Sequence, residues 1–288
     1  MVAEKRPHWQ LPSGVTRGLW DYVHSSTVAD DYDEYFAHNR LFQFDEQVLL
    51  RELEVRGVGE GKVVADLGCG TGRALLALAR RGLLGVAIDL SPSMLDIVRL
   101  KALDERLPIL CLRSNLVELD ALADNSVDAA ISLFSTLGMI QGRGNRQRAL
   151  QHVSRIVKPG GPFVMHVHNY WYHLSDPGGP WWLIANLWRS CFQRDIEAGD
   201  KYFNYRGVPN MFLHLFRRSE LTRSLRRAGF RIRTFIPLDP RRHRALRWPW
   251  LLGAMRANGW IAVCEVEKRC QEPFFRSYHC RRRGIFRG

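Results

Sequence analysis

No stretch of the chain holds the ~18 consecutive uncharged apolar residues that a membrane-spanning helix needs. Asn186 and Arg189 interrupt the run between Trp181 and Phe192, and Arg247 and Arg256 interrupt the tryptophan-rich stretch near residue 250. Glu4, Lys5 and Arg6 near the start are followed by no apolar core, so no secretory leader is expected. The six cysteines, at 69, 111, 191, 264, 270 and 280, form no C-x-x-C pair and stand at no metal-ligand spacing from a histidine. That pattern argues against a zinc module or a disulfide framework, predicts no metal centre, and fits a reducing, cytoplasmic compartment. Cys69 and Cys111 read as buried free thiols.

Acids are scarce in the C-terminal third. Between 217 and 247 eleven arginines face only Glu220 and Asp239, and from 268 onward six arginines and Lys268 face only Glu272. These two segments carry +9 and +6 of a formal net charge of +13, so the rest of the chain is slightly acidic. With 288 residues and 46% hydrophobic content, the chain suits one large α/β core with insertions.

What is present is organised around Val63-Val64-Ala65-Asp66-Leu67-Gly68-Cys69-Gly70-Thr71-Gly72. A β-branched run ends in an acid, breaks into alternating glycines, and resumes with helical spacing from Ala74. Such a junction collects unpaired backbone N–H groups at the carboxyl edge of a parallel sheet, and a glycine lets a ligand lie against the main chain. The dinucleotide pattern G-x-G-x-x-G would need a glycine where Arg73 stands. A second apolar run, Gly85-Val86-Ala87-Ile88-Asp89, ends in an acid placed to reach ribose hydroxyls over the first loop.

At these residues the chain resembles the class I S-adenosylmethionine-dependent methyltransferases. Their glycine motif is similar to residues 66–72, and their ribose-binding acid matches Asp89. The resemblance implies S-adenosylmethionine as cofactor, held by Asp66, Gly68, Cys69, Gly70 and Gly72, with Asp89, Leu90 and Met94 beside them. Asn115 stands where many family members place an acid against the adenine, with Leu116 next to it. An amide still accepts and donates, so Asn115→Asp is expected to be tolerated. Residues 132–135, Phe134 among them, are expected at the methionine end. A helical N-terminal segment folds over the cofactor in the family, which makes Tyr22, Tyr32 and His38 candidate lid contacts.

The expected fold is α/β, a Rossmann-like doubly wound seven-stranded sheet, mostly parallel with the last strand antiparallel, carrying an inserted aromatic cap. Strands are expected near 63–67, 85–89, 108–113, 127–133 and 161–168, with a closing pair near 230–237 and 258–266. Residues 1–44 read as a lead and lid, the first twenty of them irregular. Residues 45–169 read as the cofactor-binding core and 217–267 as the rest of the sheet. Residues 268–288 read as a basic, disordered tail. Residues 170–216, rich in Trp, Tyr and Phe, read as an acceptor-binding cap.

Methyl transfer from a sulfonium requires in-line positioning, and a base only for a protonated or weakly nucleophilic acceptor. His166 and His168 point to one side of their strand by alternation and are the candidate bases. The leading reading is transfer to an N or O atom of a small-molecule acceptor. The alternatives are a tRNA nucleoside methyltransferase that uses the arginine-rich third, and a non-catalytic binding protein of the same fold. Under the leading reading Arg241, Arg242 and Arg244 are expected to lie outside the acceptor pocket. The residues leave the oligomeric state open.

Overall fold

Five of the apolar runs before residue 169 form strands: β1 (Val63–Leu67), β2 (Leu84–Asp89), β3 (Ile109–Arg113), β4 (Ala129–Ser132) and β5 (Pro162–His168). The computed structural model describes residues 7–25, 31–36 and 41–267. The expected contact at His38 and the tail from 268 lie outside the described residues. Strands β6 (Asp200–Tyr205) and β7 (Val208–His214) form a separate antiparallel ribbon, and β8 (Phe230–Pro237) and β9 (Gly259–Val266) return to the main sheet. The sheet order is β3-β2-β1-β4-β5-β9-β8, parallel from β3 to β5, with β9 antiparallel to both of its neighbours. This is the expected Rossmann-like doubly wound sheet.

Alternation along the strands divides the core in two. Val64 and Ile131 face one side with Val48, Leu49 and Leu53, while Ala65 and Ala130 face the other with Leu150, Val153 and Ile156. The order of strands reverses between β1 and β4, so the crevice beyond their carboxyl ends is where a ligand sits in such a sheet. Asp128 supports that region from beneath: its carboxylate accepts from Val63 N at 2.9 Å and pairs with Lys158 at 2.8 Å.

The lead is more ordered than its composition implies. Helix α1 (Arg17–Val23) is capped by Thr16, whose hydroxyl accepts from Leu19 N at 3.3 Å, and it buries Leu19, Trp20 and Val23. Seven residues are too few to show a helical period, which is why the stretch reads as irregular. Its foothold is Gly18, where a Cβ would stand 2.3 Å from the Asn210 carbonyl, so the helix backbone lies directly on β7. Helices α2 (Tyr32–Phe36) and α3 (Leu41–Glu54) continue the segment onto the sheet. No helix among the described residues is long and apolar enough to cross a membrane.

Candidate active site

The turn after β1 is tied to β2, with Gly68 N and Cys69 N both donating to the Ile88 carbonyl at 2.8 and 3.1 Å. That leaves the loop backbone facing the crevice. Asp89, at the end of β2, accepts from Gly70 N and Ser91 N, each at 2.9 Å, and each oxygen keeps further acceptor capacity. Burial raises its pKa, while those backbone donors oppose the rise. At Gly70 (φ +54°) an added Cβ would meet only the Tyr32 ring, at 3.9 Å, so the backbone there opens onto empty space.

That space is a partly open cavity of about 800 Å³, the solvent at its mouth included. Gly68, Gly70, Asp89, Leu90, Met94, Asn115, Leu116 and Phe134 all line it, joined by Thr136, Met139 and Ile140. The N-terminal segment supplies the opposite wall, including Val15, Leu19, Tyr22 and Tyr32. The Thr71 hydroxyl donates to Asp33 at 2.7 Å, and Lys101 also pairs with Asp33, which fastens α2 to the glycine turn.

Three expected cofactor residues stand elsewhere. Asp66, Cys69 and Gly72 do not line the cavity. Asp66 is buried beneath it, and burial first, then the nearby Asp89, push its pKa up to about 7, with Arg73 opposing. Cys69 packs against Leu75 and Ala87, and both it and Cys111 are only partly buried. Gly72 backs onto Val98. Asn115 does line the cavity, but its amide is engaged: Nδ2 donates to the Ser13 carbonyl at 2.9 Å and Oδ1 accepts from Val117 N at 3.1 Å. With Gln141 N donating to the Gly14 carbonyl at 2.8 Å, it straps the lead across the cavity. An ionised aspartate could not donate to Ser13, which argues against the expected tolerance of Asn115→Asp.

A second cavity adjoins the first, and Phe134 and Met139 line both. Its walls come from the end of β5 (His168, Asn169), the turn Tyr170–Ser175, the β6–β7 ribbon and the loop between β8 and β9. Its floor is apolar, with Phe203, Met211, Leu213 and Leu215, and its polar groups converge from three directions. Lys201 Nζ donates to His173 Nε2 at 3.0 Å, which leaves the ring proton on Nδ1, facing Asp176 at 2.5 Å. Burial lowers the pKa of both Lys201 and His173, and Asp176 opposes this for each. Arg242 enters from the β8–β9 loop, 5.6 Å above the Phe134 ring, with burial lowering its pKa against Asp45, Tyr205 and Tyr172. The expectation that Arg242 lies outside is therefore overturned, whereas Arg241 and Arg244 are exposed. No periodicity announced Lys201, Asp176, Arg242 or Asn258, since long-range packing brings them together.

The two candidate bases part company. His168 faces the second cavity, and burial first, then His166, Arg242, His173 and Lys201, hold its pKa well below 6.5, so it is neutral. His166 is fully buried, lines neither cavity, and its Nδ1 lies 3.4 Å from the equally buried Asp45 on α3. Its burial away from both cavities argues against the expected role as a base. Behind β7, His214 is sealed between Asp200 (2.7 Å) and Glu220 (3.0 Å). Burial disfavours its charge, but the two carboxylates prevail and raise its pKa.

Residues 64–161 match a family model described as a methyltransferase domain. A ubiquinone/menaquinone biosynthesis C-methyltransferase of Syntrophotalea carbinolica is 31% identical over 234 residues, covering 76% of this chain and 87% of that protein. An uncharacterized protein of Methanocaldococcus jannaschii is 27% identical over 184 residues, 64% of this chain, and the chain spans 62% of its length. Among solved structures, an S-adenosylmethionine-dependent methyltransferase of Clostridium acetobutylicum superposes with a TM-score of 0.59 at 14% identity, over 84% of this chain and 98% of that one. That last likeness is one of fold.

Proposed function

The chain belongs to the class I S-adenosylmethionine-dependent methyltransferases, and we propose that its methyl acceptor is a small molecule, held in the second cavity and methylated on an N or O atom. The observation that carries this reading is the junction of the two cavities at Phe134 and Met139. The first cavity fits the cofactor on its own chemistry. A hydroxyl-accepting carboxylate at Asp89, open backbone at Gly70 and apolar walls at Val15, Leu90 and Leu116 suit a nucleoside. Bound there, S-adenosylmethionine supplies a methyl group on a sulfonium, open to in-line attack from the side opposite the sulfur.

The remaining tasks fall to the chain. Phe134 and Met139 set the boundary across which the acceptor atom faces the methyl group, and the apolar floor keeps water away. His168 lines this cavity in the neutral form, so a ring nitrogen can accept a hydrogen bond from a hydroxyl or amine acceptor, although its lowered pKa makes it a weaker base than a free imidazole. Lys201 and Arg242 put two cations in this wall against the one carboxylate of Asp176, and that surplus favours an acceptor bearing an acidic group. The free thiols at Cys69, Cys111, Cys191 and Cys264 suit a cytoplasmic enzyme.

The RNA reading draws less support. The exposed arginines of helix α9 (Arg218–Arg227; helices counted in chain order), Arg218, Arg223, Arg226 and Arg227, line neither cavity and form a solvated face. Mass spectrometry of an extract supplied with isotopically labelled S-adenosylmethionine tests the choice. A labelled small metabolite is expected, and a labelled tRNA nucleoside would overturn the reading.

A further inference from the structure

Helix α8 (Gly179–Phe192) turns Leu183 and Asn186 inward, yet its outer face is just as apolar. Trp181, Ile184, Trp188 and Phe192 recur at helical spacing along that face and are between 60% and 77% exposed. The β8–β9 loop likewise exposes Trp248, Trp250, Leu251 and Leu252, with Trp250 79% exposed. The two elements share one support, the turn Tyr170–Ser175. Tyr170 Oη donates to the Leu183 carbonyl at 3.3 Å, and Asn169 just before the turn donates to the Ala254 and Ala257 carbonyls at 2.7 and 2.8 Å. Exposed apolar side chains in this number, on two elements tied to one turn, mark a site of association.

The loop is held in a fixed, costly shape. Trp248 (φ +55°) and Leu252 (φ +48°) both sit in the left-handed region. Arg256 donates to the Trp248 and Leu251 carbonyls at 3.4 and 2.9 Å, clamping that shape from within. The charge of the patch is mainly positive. The loop holds five arginines against one acid, Asp239, which pairs with Arg244; Arg241 and Arg247 are exposed, Arg189 stands on the flank of α8, and the Arg247 guanidinium lies 4.4 Å from the Trp248 ring centre.

From these observations we infer that this face docks on an anionic lipid bilayer surface. Tryptophan rings are suited to the headgroup level of a bilayer, aliphatic side chains to the acyl boundary, and arginines to lipid phosphates. A two-fold contact between copies would set the exposed Arg189, Arg241 and Arg247 of one copy against the same cations of the other, which like-charge repulsion disfavours. The docking face also borders the second cavity, because Tyr172 and His173 of the shared turn and Arg242 and Asn258 of the loop line it. An acceptor carried in the bilayer would thus meet the cavity at the membrane surface.

The test uses the full chain and vesicles alone, with no acceptor, so it stands or falls apart from the acceptor reading. Sedimentation with vesicles of phosphatidylcholine containing about a third phosphatidylglycerol should carry the protein down, with tryptophan emission shifted to the blue. Pure phosphatidylcholine should retain much less. The triple variant W181S/W188S/W250S, at positions outside both cavities, should lose at least tenfold in partition while its calorimetric affinity for S-adenosylmethionine stays at the wild-type value. The inference is overturned if wild type stays in the supernatant with anionic vesicles. It is equally overturned if the triple variant partitions like wild type, or if sedimentation velocity shows a stable dimer that the triple variant dissolves.

Discussion

The two cavities were built by different rules. The sheet side of the first comes from residues 68 to 140, each near the carboxyl end of a strand, in the turn after it or in the first turn of the helix that follows. The second gathers residues from 134 to 258, drawn from a strand end, a turn, a ribbon and a loop. One is local grammar repeated along a doubly wound sheet, and the other is tertiary packing. In this molecule the cofactor end is therefore set by short-range signals, and the acceptor end by which distant segments the fold happens to bring together.

The comparison is broken most severely by removing what braces the ribbon. His214→Ala would leave the carboxylates of Asp200 and Glu220 facing a buried gap and should cost about 3–5 kcal/mol in denaturant unfolding. The pH dependence has a definite sign. Because the folded pKa of His214 is raised above 6.5, its stabilisation is complete below pH 6.5 and is lost as pH rises through the raised value. His168, with a lowered pKa, acts in the opposite sense: the protein loses stability as pH falls below 6.5. Melting temperatures against pH should lose the alkaline decline in His214→Gln and the acidic decline in His168→Gln.

On the cofactor side, Asp89→Ala should weaken S-adenosylmethionine by about 1.5–3 kcal/mol, the scale of a hydrogen bond to a charged group. Gly70→Val should do more, because its branches would enter the cavity from a backbone already at positive φ. Calorimetry reads both effects, and unchanged affinities would move the cofactor elsewhere.

Much of this was legible in the chain. The strand runs, the glycine turn and Asp89 follow from short apolar runs, turn residues and an acid at a strand end, and the antiparallel closing pair from the family resemblance. The limits were physical. Helix α1 was too short to show a period, and its packing rests on a single close approach at Gly18. Asn115 had the residue type for an adenine contact, but no pattern shows that the Ser13 carbonyl claims its amide. Arg242 sat in a run of arginines that read as solvated surface, and only the fold of the β8–β9 loop turns it inward over Phe134.

Smaller effects sharpen the same contrast. Arg242→Ala should leave cofactor affinity unchanged and reduce acceptor use about tenfold, or 1.4 kcal/mol, seen as a rise in the acceptor's KM. Asn115→Asp should weaken cofactor retention by about 1 kcal/mol through release of the lead, the value of one neutral hydrogen bond, with faster hydrogen exchange near Leu19 as its companion sign.

The claim that two adjoining cavities divide cofactor from acceptor is tested most directly by measuring cofactor affinity and labelled-product formation together in Asp89→Ala and Arg242→Ala. The account predicts that Asp89→Ala loses both, whereas Arg242→Ala keeps wild-type affinity for S-adenosylmethionine and loses product. Equal loss of cofactor affinity in the two variants, or full product formation by Arg242→Ala, would contradict it.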